Sequence, residues 1–251
     1  MLKKRIIPVL LMKGVGLVKG VSFKSDRRIG SALQFVKVFN FRNVDELVLF
    51  DIDASMNQIN PDFAQIEELA NECFMPLTVG GGVSSVESIS ALLKAGADKV
   101  SINTAALTKP ELIKDGVKLF GSQCIVGCID VKRTPSGYRV FTHNGSQATD
   151  WDPAEYSVHL ERLGVGEIIL TSIDRDGTME GYDLELIEKV ASVVSVPLVV
   201  AGGAGKLKDF EDALELPRVS GVCASSIFHF TERTPADVRQ HLLERGVPVR
   251  Q

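Results

Sequence analysis

The chain has 251 residues, with a net charge of -4, 45% apolar and 24% charged residues. That composition supports a large buried core and excludes a disordered chain. No Lys/Arg cluster stands out and no apolar run reaches the ~18 residues needed to cross a bilayer. Neither nucleic acid nor membrane is therefore an expected partner, and the expected location is cytoplasmic.

The N-terminus "MLKKRIIPVLLMKG" is basic and then apolar. It fails as a secretory signal, because the apolar part is short and no small-residue cleavage site follows. Unbroken β-branched runs follow one another at roughly 5–11, 45–52, 76–80, 98–103, 123–129, 166–172, 197–201 and 219–224. Such runs suit strands buried on both faces of a parallel sheet. Between and after them, amphipathic patterns predict helices near 31–42, 60–73, 85–95, 109–119, 152–164, 183–194, 207–215 and 235–245. Asn60-Pro61-Asp62 opens one helix and Lys94-Ala95-Gly96 closes another. Eight strand–helix units in a chain of this length predict an α/β fold, a single (βα)8 TIM barrel spanning 1–251. An open doubly wound sheet would also alternate, but the eight units leave no spare edge element. The segment 131–150 is extra, and "GYRVFTHNG" predicts a small hairpin inserted after the fifth strand. Cys73, Cys124, Cys128 and Cys223 form no CxxC pair and read as buried reduced thiols. The four histidines are scattered, so neither a zinc site nor any other metal or cofactor is expected.

The chain repeats itself at half length. "LTVGGGVSSVES" at 77–88 echoes "LVVAGGAGKLKD" at 198–209, and "RIIPVLLMK" at 5–13 echoes "CIVGCIDVK" at 124–132, in each case about 120 residues apart. "VSINTAAL" echoes "VCASSIFH", and "LFDIDAS" echoes "LTSIDRDG". The barrel thus reads as two fused half-barrels, about 1–120 and 121–251.

In such a barrel the site lies at the carboxyl ends of the strands. The third strand ends in Gly80-Gly81-Gly82 and the fourth in Asn103-Thr104. Their counterparts are Gly202-Gly203 after the seventh strand and Ala224-Ser225 after the eighth. Glycine lets a backbone approach an anion, and the next helix turns its N–H groups toward it. Tight turns also need glycine. Two such turns at repeat-related places predict a pair of phosphate cradles and one long ligand with a phosphate at each end. Between them stand Asp51, Asp130, Thr171 and Asp176, also on strand ends, as candidates for proton transfer or ligand binding. Asp51 and Asp176 could instead hold loops by accepting backbone N–H bonds. At the opposite rim, Arg5, Glu46, Lys99 and Glu167 each start an apolar strand. One such charge would be solvated; two of each sign from four strands predict a closed ring of ion pairs across the barrel's bottom.

"PLTVGGGVSSVES", "LLKAGADKVSIN", "FGSQCIV", "LTSIDRDGT", "GYDLELI" and "FHF", in this order, resemble the cyclase subunit of imidazole glycerol phosphate synthase, the histidine-pathway glutamine amidotransferase. The resemblance covers essentially the whole chain. It implies a separate glutaminase subunit docked at the amino-terminal face, with Asp98 at that interface. It implies that Arg5, Glu46, Lys99 and Glu167 gate the entry of ammonia into the barrel. It implies phosphate binding by Gly82, Asn103 and Thr104 on one side and by Gly203, Ala224 and Ser225 on the other, with Lys19 of a mobile first loop as a further ligand contact. It also implies two catalytic aspartates, after the first and fifth strands.

Asp130 matches the second aspartate, but Leu11 stands where the first should be. Leucine neither donates nor accepts a proton, and loss of a positioned acid/base group typically lowers a rate by about 10²–10⁴. The first loop "MKGVGLVKG" lacks the charges usual there. Ser31 replaces a usual aspartate, Asp53 a threonine and Ala201 a serine. The nearest acid downstream of Leu11, Asp26, is not expected to reach the site. The resemblance therefore leads to a specialised relative that takes ammonia from its glutaminase and supplies a third enzyme amidating a surface-polysaccharide sugar. The alternatives are an active cyclase with a rearranged acid/base pair, a half-inactivated variant kept for its fold, and a scaffold that only activates its glutaminase.

Overall fold

The computed structural model describes residues 3–57 and 59–250. Twelve strands run in chain order: β1 Arg5–Lys13, β2 Gly16–Val21, β3 Lys24–Gly30, β4 Leu47–Asp51, β5 Leu77–Gly80, β6 Lys99–Ile102, β7 Ile125–Thr134, β8 Gly137–Thr142, β9 Gln147–Ala148, β10 Glu167–Ser172, β11 Leu198–Ala201 and β12 Val219–Ala224. Eight of them pair in parallel, in the order β10-β11-β12-β1-β4-β5-β6-β7, and β10 closes the circle on β7. These eight correspond one for one to the apolar runs in the sequence. The architecture is a closed (βα)8 barrel, in which none of the eight barrel strands is left with an open edge.

The eight long helices expected from the sequence all form, with ends that differ by a few residues. The predicted 60–73 helix, for example, spans Phe63–Asn71, because Asp62 is its N-cap and accepts from the Gln65 N–H at 3.0 Å. The helix Val86–Lys94 starts from a Ser85–Ser88 capping box, and Gly96 follows its end at φ +105°. Inside the barrel, Ile7, Val9, Val48, Val126, Cys128, Ile169, Val199 and Cys223 form a compact apolar plug. A second and larger apolar cluster fills the space between strands and helices. Cys128 and Cys223 are buried thiols as expected, whereas Cys73 and Cys124 are only half-buried.

Two hairpins rise from the carboxyl ends of the barrel. The insert after the fifth barrel strand is β7 paired with β8, followed by the short β9. The first loop also differs from expectation: it is a hairpin of β2 and β3 with two register irregularities, and β2 pairs back onto β1.

At the opposite end the four predicted charges close a ring. Glu46 accepts from Arg5 at 2.7 Å and from Lys99 at 2.9 Å, while Glu167 bonds Lys99 at 2.8 Å and also Arg5. Thr78 and Ser220 complete the hydrogen bonding. Burial alone would raise the Glu167 carboxyl, but the pairs with Arg5 and Lys99 outweigh it and lower its pKa. Removing one carboxylate would leave two half-buried cations sharing the other. Glu46→Ala is therefore expected to destabilise the fold by about 3–5 kcal/mol in urea denaturation, and Glu46→Gln by clearly less.

Candidate active site

The carboxyl ends of the barrel strands surround a cavity of about 530 Å³, within the size range of small-molecule sites. Its wall contains most of the predicted site residues: Lys19, Asp51, Gly81, Gly82, Asn103, Thr104, Asp130, Thr171, Asp176, Gly202, Gly203, Ala224 and Ser225. Leu11 lies on the same wall. The ring residues and Asp98 do not. Asp98 is exposed at the other end of the barrel beside Lys99, where its carboxylate accepts from the Leu77 N–H at 2.8 Å.

The glycine turns have a local reason to be glycine. A Cβ on Gly81 would lie 2.0 Å from the Asp51 carbonyl oxygen, and one on Gly203 would lie 2.1 Å from that of Gly181. Both have positive φ. Close backbone approach accounts for them without any ligand. Their candidacy as anion sites rests on facing one cavity, each beside a hydroxyl-bearing turn, Thr104 in one case and Ser225 in the other.

Asp130 holds the central position. β7 places it beside Thr171 of β10, which donates to it, and Asn103 donates to it at 2.7 Å. Burial, followed by the nearby negative charge of Asp176, raises its pKa to about 7. A carboxyl at that value exchanges protons readily at neutral pH. Asp176 in turn accepts both of its bonds from Lys19, at 2.8 Å each. Lys19 is only 3% exposed, so this pairing is what allows a cation to sit there. Asp51 also has a raised pKa through burial, and it accepts from the Asp53 and Ala54 N–H groups. It thus does the loop-holding work that was its alternative reading.

Leu11 pairs with Val18 of β2 on one side and Phe50 of β4 on the other. β1 does extend past it, to Lys13. One expectation is corrected here: Asp26 reaches the cavity wall, because β3 folds back over the barrel. Its carboxylate is engaged by Lys13 at 3.3 Å. His143 is a cavity residue that the motif reading missed, delivered by the β8–β9 hairpin. So is Lys109, which follows the short helix Thr104–Thr108.

A closed (βα)8 barrel with a carboxylate, a buried lysine and two glycine turns around one cavity defines an enzyme-type site on a common scaffold. Comparison with known proteins narrows the class. Residues 5–234 match the family model described as histidine biosynthesis protein. The chain is 43% identical, over its whole length and theirs to within 1%, to imidazole glycerol phosphate synthase subunit HisF from Anoxybacillus flavithermus and from Dehalococcoides mccartyi. The chain belongs to the histidine biosynthesis protein family and is a HisF-like barrel. Among the described residues, no helix is long and apolar enough to cross a membrane.

The raised pKa of Asp130 has a stability consequence. The folded chain binds this proton more tightly than the unfolded chain does, so stability falls as pH rises from about 4 to about 7 and stays lowered above that. Asp130→Asn removes the penalty. The variant is expected to be more stable than the natural protein at pH 8, by about 2–4 kcal/mol, with the gap closing by pH 4 in parallel denaturation series. Lys19→Met strips Asp176 of its counter-ion, so the Asp130 carboxyl, followed by NMR, is expected to titrate higher still.

Proposed function

We propose that this chain is the barrel subunit of a glutamine-dependent enzyme pair. A glutaminase docks on the face that carries Asp98. Ammonia released there enters past Arg5, Glu46, Lys99 and Glu167 and reaches the cavity at the other end. The Gly82–Asn103–Thr104 and Gly203–Ala224–Ser225 turns hold the phosphates of a bisphosphate ligand, with Lys19 as a further contact. The ammonia is then passed to a third enzyme that amidates a surface-polysaccharide sugar.

The observation that carries the last step is Leu11 on the cavity wall, while the charged ring at the far end keeps all four members. The ring that the resemblance assigns to ammonia entry is thus present where leucine replaces one of the two aspartates it assigns to proton transfer. A second reading, an active cyclase making imidazole glycerol phosphate and an aminoimidazole carboxamide ribotide, is favoured by the full-length identity to the HisF relatives. Asp130 and the repositioned Asp26 support it further.

An ammonia-driven cyclase assay separates the two. The protein is given the phosphoribulosyl formimino substrate and excess ammonium salt, beside a Leu11→Asp variant. The expected result is turnover at least about 10²-fold below that of a HisF relative, and a measurable gain in the variant. Turnover matching the relative would establish the second reading instead.

A further inference from the structure

The imidazole of His143 has no part in the proposal above, yet its surroundings are specific. It is the only histidine on the cavity wall among the described residues. Its backbone N–H donates to Thr104 Oγ1 at 3.1 Å, and its Nδ1 lies 3.0 Å from Oγ1 of the buried Thr142. With Nδ1 engaged, Nε2 is the open ring nitrogen, and it makes no hydrogen bond among the described residues. The bond from His143 also fills one lone pair of the Thr104 hydroxyl, whose O–H is then free to donate elsewhere. The backbone here is committed: His143 and Asn144 take φ +52° and +54°, and Gly145 follows under the Phe23 ring.

The charged groups sharing this wall are Lys109 beyond Thr104, Asp130 from β7, Lys19 and Asp26 from the β2–β3 hairpin, Asp51 after β4 and Asp176 after β10. Asp130 is already bonded by Asn103 and Thr171, and Asp176 by Lys19. Lys109 and His143 are the basic groups beside the Gly82–Thr104 turn. The wall at Gly202–Ser226 contains no histidine.

We propose that His143 is a ligand-binding residue of the Gly82–Thr104 cradle, giving one hydrogen bond or ion pair to an anionic oxygen of a phosphate monoester. This end of the cavity then binds an anion more tightly as pH falls, through a group that the Gly202–Ser225 end lacks. The proposal rests on the reading of the Gly82–Thr104 turn as an anion site.

Sulfate is the suitable probe, because it remains a dianion across pH 5–9 while imidazole titrates. NMR of the natural protein follows the His143 ring nitrogens and the Gly82 and Thr104 amides, with the half-buried His159 and His241, which do not line the cavity, as internal controls. Saturating sulfate is expected to raise the His143 pKa by about 0.5–1 unit, which corresponds to about three- to tenfold tighter binding to the protonated form. His159 and His241 are expected to stay unchanged. His143→Asn keeps a residue suited to the left-handed backbone. It is expected to lose that part of the pH dependence while the sulfate shifts at Gly82 remain. Shifts at Gly82 and Thr104 without any change at His143, and an unaltered pH dependence in His143→Asn, would overturn the role of His143 and leave the cradle standing. No shift at Gly82 or Thr104 at any pH would overturn the cradle, and the inference with it.

Discussion

Closure of a parallel barrel, combined with the two-residue period of a strand, decides what each residue of this protein can do. Along β1 the inward positions are Arg5, Ile7, Val9 and Leu11, and along β10 they are Glu167, Ile169 and Thr171. β4 enters with Glu46 and continues through Val48 and Phe50. Each of these three strands therefore runs from the charged ring through the apolar plug to the cavity rim. Because all eight strands point the same way, the ring and the cavity cannot exchange roles. A shift of one residue would turn every one of these side chains outward, so an apolar replacement at the rim cannot be made good by its neighbour in sequence.

The rim needs a roof, and the hairpins supply it through electrostatics and shape. Lys19 is carried on β2 and binds Asp176 in the loop after β10, while the Ser22 N–H donates to the Asp176 carbonyl at 2.8 Å. Gly177 admits the chain there, since a Cβ on it would lie 2.3 Å from the Gly20 carbonyl oxygen. Phe23 sits at the hairpin tip with φ +59°, an uncommon conformation for a bulky residue. It touches Gly145 of the other hairpin and lines the cavity. The same Lys19 pair limits how strongly Asp176 acts on Asp130, so the seating of the roof and the proton affinity of the catalytic candidate are linked.

The barrel was legible because strands buried on both faces write themselves as unbroken apolar runs, and the half-length echo placed the glycine turns. The ring was legible because charges at the feet of four apolar runs, two of each sign, are an anomaly that pairing relieves. The β2–β3 hairpin was not legible. Its two-residue turn is Ser22-Phe23, both with positive φ, where a sequence reader looks for Asn-Gly or Asp-Gly. Missing that turn hid Asp26, which lies fifteen residues beyond Leu11 but comes back over the barrel once β3 pairs with β2. His143 escaped notice for a similar reason: the hairpin was predicted, but not its lean toward Thr104.

What separates Leu11 from Asp130 is the sector of the barrel each belongs to. β11, β12, β1 and β4 are neighbours, and their inward side chains along the cavity include Ala201, Cys223, Leu11 and Phe50. β6, β7 and β10 are also neighbours, and they lead to Asn103, Asp130 and Thr171. These inward positions thus form an apolar sector and a sector rich in hydrogen-bonding groups, although Asp51 at the end of β4, Ser225 after β12 and Asp26 of β3 bring polar groups to the apolar side. Two of the apolar residues, Leu11 and Ala201, stand where the family resemblance calls for an aspartate and a serine, so the apolar sector reaches the rim through more than one change. A ligand held between the sectors meets the Asn103, Asp130 and Thr171 cluster from one of them. A small neutral molecule such as ammonia loses little by crossing an apolar wall, whereas ammonium would have to shed its hydration. An apolar sector of wall is therefore compatible with the proposed passage of ammonia.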